Sequence, residues 1–170
     1  MCEKVYNFMA TGRSTQLTRQ IGEHLIAAKL GRLGYIATPF AGNVPDFDLL
    51  IADGNGCSIP IQVKAINGGS WQFNISKFLE IEIIDDVQYV RGKRNIANPS
   101  LVCIFVQLAD DENDDFFIFQ LKDLQEYFSK SYKGGRRVKN PLSLHCAILP
   151  KDLEMFRDNW SLIEKSLKPA

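Results

Sequence analysis

The segment from Asp48 to Ile66 constrains the fold of this chain most. Asp48 opens the apolar run Leu49–Ala52, and Ser58–Ile66 is a second extended run. Between them stand Asp53, Gly54, Asn55 and Gly56, where Gly and Asn accept the positive φ of tight turns, so the two runs predict an antiparallel β-hairpin. Side chains alternate along a strand, which puts Ile61 and Val63 on one face and Gln62 and Lys64 on the other. The hairpin also brings Asp48 opposite the Gln62–Lys64 end. A carboxylate, an amide oxygen and an ammonium group converge on one patch.

The flanking segments fill in the rest. A helix is expected from Ser14 or Thr15, either of which is a suitable cap, to Gly34, with Leu17, Ile21, Leu25, Ala28, Leu30 and Leu33 at helical spacing. Residues 1–13 read as a weakly structured segment and 14–170 as one domain, in keeping with the chain's 170 residues. A strand over Tyr35–Phe40 and a turn-rich stretch, Ala41–Pro45, lead into the hairpin. Gly68 and Gly69 end the returning strand.

Beyond them, Trp71–Ile75 predicts a strand, and Phe78–Ile84 suits strand or helix. Leu101–Leu108 predicts a buried strand, and Asp110–Asp115 a solvated turn before a strand at Phe116–Gln120. Leu121–Tyr132 reads as an amphipathic helix, Lys133–Asn140 as a basic loop, Leu144–Leu149 as a strand and Pro150–Leu167 as a last helix. This order is α/β or α+β with a mixed central sheet.

On the first helix, Glu23 shares a face with Ile26, Ala27, Leu30 and Gly34. A carboxylate in an apolar stripe is costly unless it meets a cation, a metal or hydrogen-bond donors. The same face carries Gln16, Arg19 and Gln20 toward the N-terminus, so it turns polar as the wall of a cleft does. Two carboxylates, a carbonyl-type oxygen and a lysine suit magnesium-assisted phosphodiester hydrolysis. Mg²⁺ prefers oxygen ligands, polarises a phosphate and lowers the pKa of the attacking water, while a lysine orients that water and offsets charge at phosphorus.

The order Glu23, Asp48, then Gln62, Val63 and Lys64 after a hairpin resembles the PD-(D/E)xK nuclease superfamily. Gln62 fits the variant seen in Mrr-like restriction endonucleases, and the run from Gly22 to Lys64 is also similar to Holliday-junction-resolvase-like proteins. The resemblance covers residues 15–66. It implies an α/β, restriction-endonuclease-like core, a mixed central β-sheet flanked by helices. It also implies roles: Asp48 the main metal ligand, Gln62 and the Val63 carbonyl completing the metal site, Lys64 the catalytic lysine, and Glu23 binding a metal directly or through water. The metal is Mg²⁺ or Mn²⁺. Asp46 is the alternative to Asp48; Asp48 is preferred because the apolar strand follows it at once. Gln62 in place of a carboxylate leaves the cluster, without Lys64, at −2 instead of −3, which weakens metal binding.

Other features have plainer readings. Trp71 stacks on a base, lines the rim or packs in the core, with core the simpler choice. Arg136 and Arg137, like the cluster Arg91–Arg94, are phosphate contacts or merely a charged solvent face. His24 points away from Glu23, and His145 reads as a core histidine. Phe116–Phe119 and Met155–Trp160 read as core.

Lys plus Arg and Asp plus Glu number 20 each, for a net charge of zero, which excludes a basic nucleic-acid coat protein and a disordered acidic tail. No apolar run approaches a membrane span, and Met1–Arg13 lacks a signal-peptide layout. Cys2, Cys57, Cys103 and Cys146 are scattered without a CxxC pair, as reduced thiols of a cytoplasmic protein are. The function expected is a metal-dependent nuclease acting on DNA, with branched or modified DNA among its substrates and a homodimer as a plausible assembly. The alternative is a nuclease-fold module that binds nucleic acid or protein without cutting.

Overall fold

A 21-residue helix, α1 (Gly12–Arg32), opens the computed structural model, which describes residues 12–40, 46–110, 113–137 and 139–168. Ile26 and Leu30 are fully buried, whereas Leu17, Ile21 and Leu33 are exposed, so the helical spacing of apolar residues marks a core-facing stripe only in part. Ser14 and Thr15 lie inside the helix, past its first residue Gly12, and the Thr18 hydroxyl donates to the Ser14 carbonyl. Residues 1–11 and the turn-rich stretch 41–45 lie outside the described residues.

After α1 come β1 (Ile36–Pro39), β2 (Leu49–Ala52), β3 (Ser58–Ile66), β4 (Trp71–Asn74), β5 (Leu79–Ile84), β6 (Val87–Lys93), β7 (Val102–Gln107) and β8 (Asp115–Gln120). They are followed by α2 (Leu121–Ser131), β9 (Gly135–Arg136), β10 (His145–Ile148) and α3 (Ser161–Leu167). The central sheet runs β1-β2-β3-β7-β8, with β3 and β7 parallel and the other neighbours antiparallel. In addition, β4 pairs with β10, and β5, β6 and β9 form a three-stranded sheet.

Alternation along the strands divides the interior in two. Ile61 and Val63 of β3, with Val102, Ile104 and Val106 of β7, pack against Ile26 and Leu30 of α1 and Ile163 and Leu167 of α3. Cys103 and Phe105, on the other face of β7, pack with Trp71, Phe78, Phe117, Phe119 and Phe128. Gln62 and Lys64 therefore belong to the aromatic side and α1 to the aliphatic side. The result is the α/β arrangement implied by the resemblance, a mixed sheet flanked by helices.

Several expectations need correction. Of the stretch Phe78–Ile84, open between strand and helix, Leu79–Ile84 is extended because β6 pairs with β5 across Asp85 and Asp86, both at positive φ. Strand β6 itself takes in Arg91–Lys93 of the expected basic cluster. Within the expected loop Lys133–Asn140, Gly135 and Arg136 form a short strand on β6. The last helix is broken: Pro150–Phe156 is a 3₁₀ segment, Asp158 takes a φ of 49°, and only Ser161–Leu167 is α-helical. Arg157 bridges to Phe117 of β8 at that break. Met155, expected in the core, is 82% exposed.

Candidate active site

Asp48 sits where the ladder between β2 and β3 runs out, and its backbone is fixed on both sides. Its N–H donates to the Ile61 carbonyl at 2.8 Å and its carbonyl accepts from Phe40 N–H at 3.0 Å. The side chain is fixed as well. Oδ2 accepts from the Val63 N–H at 2.8 Å, and Oδ1 accepts from Arg19 Nη2 at 3.0 Å. The β3 backbone thus aims the carboxylate, an arrangement stronger than a neutral hydrogen bond because the acceptor is ionised. N–H and C=O of one residue point to the same strand edge, so the Val63 carbonyl lies on the Asp48 side too.

Glu23 reaches this point through Arg19. Arg19 Nε donates to Glu23 Oε1 at 2.7 Å while its Nη2 holds Asp48, so one guanidinium bridges both carboxylates. Hydrogen bonding to Glu23, the largest effect, and the charge of Asp48 raise the Arg19 pKa above its ordinary value. The two acids are nearly buried, with side chains 14% and 12% exposed, and Arg19 is half exposed. Helix α1 can come this close because residue 22 is glycine. A Cβ there would stand 2.5 Å from the Cβ of Ala65 on β3.

Gln62 and Lys64 approach from the aromatic side. The Cys103 thiol lies 3.9 Å from Gln62 Oε1 and 3.7 Å from the Leu101 carbonyl, as a weak donor to both. Burial pushes this thiol up to about 12, so it stays protonated. The Lys64 ammonium lies 5.3 Å from the centroid of the Phe73 ring. Burial lowers the Lys64 pKa most, Asp48 opposes that, and Lys77 adds to it. The Lys64 carbonyl accepts from Trp71 Nε1 at 3.1 Å, which explains Trp71: it is 2% exposed and props β3 from below, and it offers no face to a base.

Beside Gln62 and Lys64 lies a cavity of about 810 Å³, reaching to Lys77, Arg94 and His145. His145 is exposed on β10 and lines this cavity, contrary to the core role expected for it. Asp46 lines it as well, at a φ of 72°, but it is Asp48 that the β3 backbone holds. Gln16 and Gln20 are exposed on α1, and so is His24. Arg136 donates to the Asp85 carbonyl and Arg137 to the Tyr132 hydroxyl, so both side chains are engaged within the protein. Arg91 and Lys93 are likewise paired, with Glu82 and Glu126.

Among the described residues no three His, Cys, Asp or Glu side chains gather as a metal cluster. The available donors are the carboxylates of Asp48 and Glu23, the amide oxygen of Gln62 and the Val63 carbonyl. All are hard oxygens of the kind Mg²⁺ takes, and Arg19 already makes the two acids share a positive charge. The donor set fits a magnesium-type cation.

No protein-family model and no curated protein sequence matches the chain. Among solved structures it is similar to the bacterial homing endonuclease I-Ssp6803I, at 17% identity over 90% of this chain and 93% of that one, with a TM-score of 0.48. It is also similar to Hjc, a Holliday junction resolvase from Archaeoglobus fulgidus, at 12% identity over 80% of this chain and 92% of that one, with a TM-score of 0.40. At these identities and scores, any reading of function rests on the chain's own geometry.

Proposed function

We propose that this protein is a metal-dependent nuclease that hydrolyses DNA phosphodiester bonds where β2 and β3 diverge, with branched or modified DNA among its substrates. The observation that carries the reading is the double fixing of Asp48, by the Val63 N–H on one side and by the cation shared with Glu23 on the other. Asp48, Gln62, the Val63 carbonyl and Glu23 are the groups that would hold Mg²⁺ or Mn²⁺. When bound, such an ion polarises the phosphate and lowers the pKa of the attacking water.

The chain's own residues do the rest. Asp48 is held in one orientation by backbone, so it does not have to be ordered during reaction. The Lys64 ammonium, half-buried on β3, offsets charge that builds on the phosphate oxygens as the water oxygen bonds to phosphorus and the ester P–O bond breaks. Arg19, half exposed at the rim, and Gln16 and Gln20 beside it are positioned to contact the DNA backbone. The same reading places two copies together to cut both strands, with exposed Leu142, Leu149 and Met155 as apolar contact surface. Three free cysteines among the described residues suit a reducing, cytoplasmic setting, and no helix there is long and apolar enough to cross a membrane.

A second reading has one specific observation behind it: with Gln62 in the site and Arg19 on Asp48, the module binds nucleic acid or protein without cutting. One experiment separates the two. Plasmid and branched DNA are incubated with Mg²⁺ or Mn²⁺ and the wild type, Lys64→Ala or Asp48→Ala. The nuclease reading expects cutting by the wild type and a loss of about 10²-fold or more in each variant. Equal cutting by all three would overturn the site, and DNA binding in EDTA without cutting under either ion would establish the second reading.

A further inference from the structure

The cavity beside Lys64 meets the proposed metal site only through Gln62 and Lys64; the rest of its lining takes no part in the chemistry above. Lys64, Lys77 and Arg94 line it, none of them in an ion pair among the described residues, and Asp46 is the one acid among the described lining residues. Arg91 and Lys93, a few residues away, are both paired with glutamates. In a chain of zero net charge, three unpaired cations at one cavity call for an anion. The other polar side chains are hydrogen-bonding groups, Gln62, Gln72, Asn74, Asn95, Asn98, Ser143 and His145. These donate to and accept from heteroatoms such as those on the edge of a nucleobase.

The walls are built in advance. Gln125, itself buried, donates to the Phe78 carbonyl at 2.8 Å and to the Arg94 carbonyl at 2.7 Å, tying the start of the 94–98 segment to the cavity floor. Gln88, also buried, donates to the Ser143 carbonyl at 2.9 Å, and Ile75 N–H donates to the Leu144 carbonyl at 2.8 Å. Two buried amides spent on holding loop carbonyls make a preformed site, which binds with less ordering cost. About 810 Å³ lies within the range that holds a compact organic ligand, such as a single nucleotide.

We infer that this cavity receives one unpaired nucleotide of a DNA strand, with its phosphate at Lys64 and Lys77 and its base among Asn95, Asn98 and His145. The inference rests on the nuclease reading in one respect: sharing Gln62 and Lys64 with the proposed metal site makes this the nucleotide next to the scissile phosphate. A base inside a duplex cannot enter such a cavity, and one that is bulged or at a junction enters at lower cost. The substrate class selected is therefore DNA with a locally unpaired nucleotide.

The test is equilibrium binding in EDTA, where no cutting occurs. The probes are a duplex carrying one bulged 2-aminopurine nucleotide and the fully paired duplex of the same sequence. The wild type is expected to bind the bulged duplex about tenfold or more tightly, with a change in 2-aminopurine emission. Asn95→Ala with His145→Ala, both exposed positions whose change leaves the core intact, is expected to cut that preference below about threefold. Equal binding of the two duplexes, or a preference that survives in the double variant, overturns the inference. Bulge preference in a protein that cuts nothing under Mg²⁺ or Mn²⁺ would sink the nuclease reading and leave the cavity assignment standing; cutting without bulge preference would do the reverse.

Discussion

Lys64 pays for its position. Its ammonium is held among buried groups on β3, and burial outweighs the attraction of Asp48, so its pKa lies below the ordinary 10.5. The unfolded chain then holds this proton more tightly than the folded one. The stability cost is fully present at neutral pH and disappears as pH rises through the lowered pKa toward the unfolded value. Lys64→Met is therefore expected to raise the melting temperature at pH 7 by about 1–3 °C, with the gap to wild type narrowing as pH rises toward about 10.5. Thermal melts across that range check it, and a gap that widens with pH would contradict the burial argument. At this scale, Asp48, Gln62 and Lys64 were legible because strand alternation and a tight turn dictate where they stand. Arg19 was legible only as a DNA contact, although its spacing of four from Glu23 is the ordinary spacing of a helical ion pair and points to the bridge. His145 departs from its core reading while Trp71 takes the core one of its open readings, and both outcomes have a common reason. Whether an aromatic ring faces core or solvent depends on what covers its strand, and β10 and β4 pair only with each other.

The hairpin, β7, β8 and α2 were all legible because each carries a strong period and clear turn residues. Strand β6 was not: Gln88, Tyr89, Arg91 and Lys93 give it no apolar alternation, since much of it is exposed. The break in the last helix depends on Arg157 meeting β8, a contact that no local pattern announces. What positions the site is the contact between α1 and β3, and Gly22 controls it. Gly22→Ala puts a methyl group 2.5 Å from the Ala65 Cβ, which cannot rotate away, so α1 must lift from β3. The expected cost is about 1–3 kcal/mol, with part of it recovered when Ala65→Gly is added. A melting series of the two single variants and the double measures this, and purely additive losses would contradict a direct contact. Because lifting α1 also carries Arg19 and Glu23 away from Asp48, activity should fall further than stability alone accounts for.

At the scale of the molecule, the sheet works as a partition. Its aliphatic face seats α1, which delivers Glu23 and Arg19, and its aromatic face supports Gln62, Lys64 and the cavity. Asp48 stands at the gap where β2 has not yet begun and the two faces communicate. The cavity was invisible in the sequence because its lining comes from segments between Asp46 and His145 that only the folded chain brings together. The central claim is that groups from both faces share one divalent cation at this gap. Titration of Mn²⁺ by calorimetry, on wild type, Asp48→Ala and Gln62→Glu, tests it most directly. The account predicts one bound ion in the wild type, affinity at least about tenfold weaker in Asp48→Ala, and tighter binding in Gln62→Glu, where a carboxylate replaces an amide. Identical isotherms for all three proteins would contradict it.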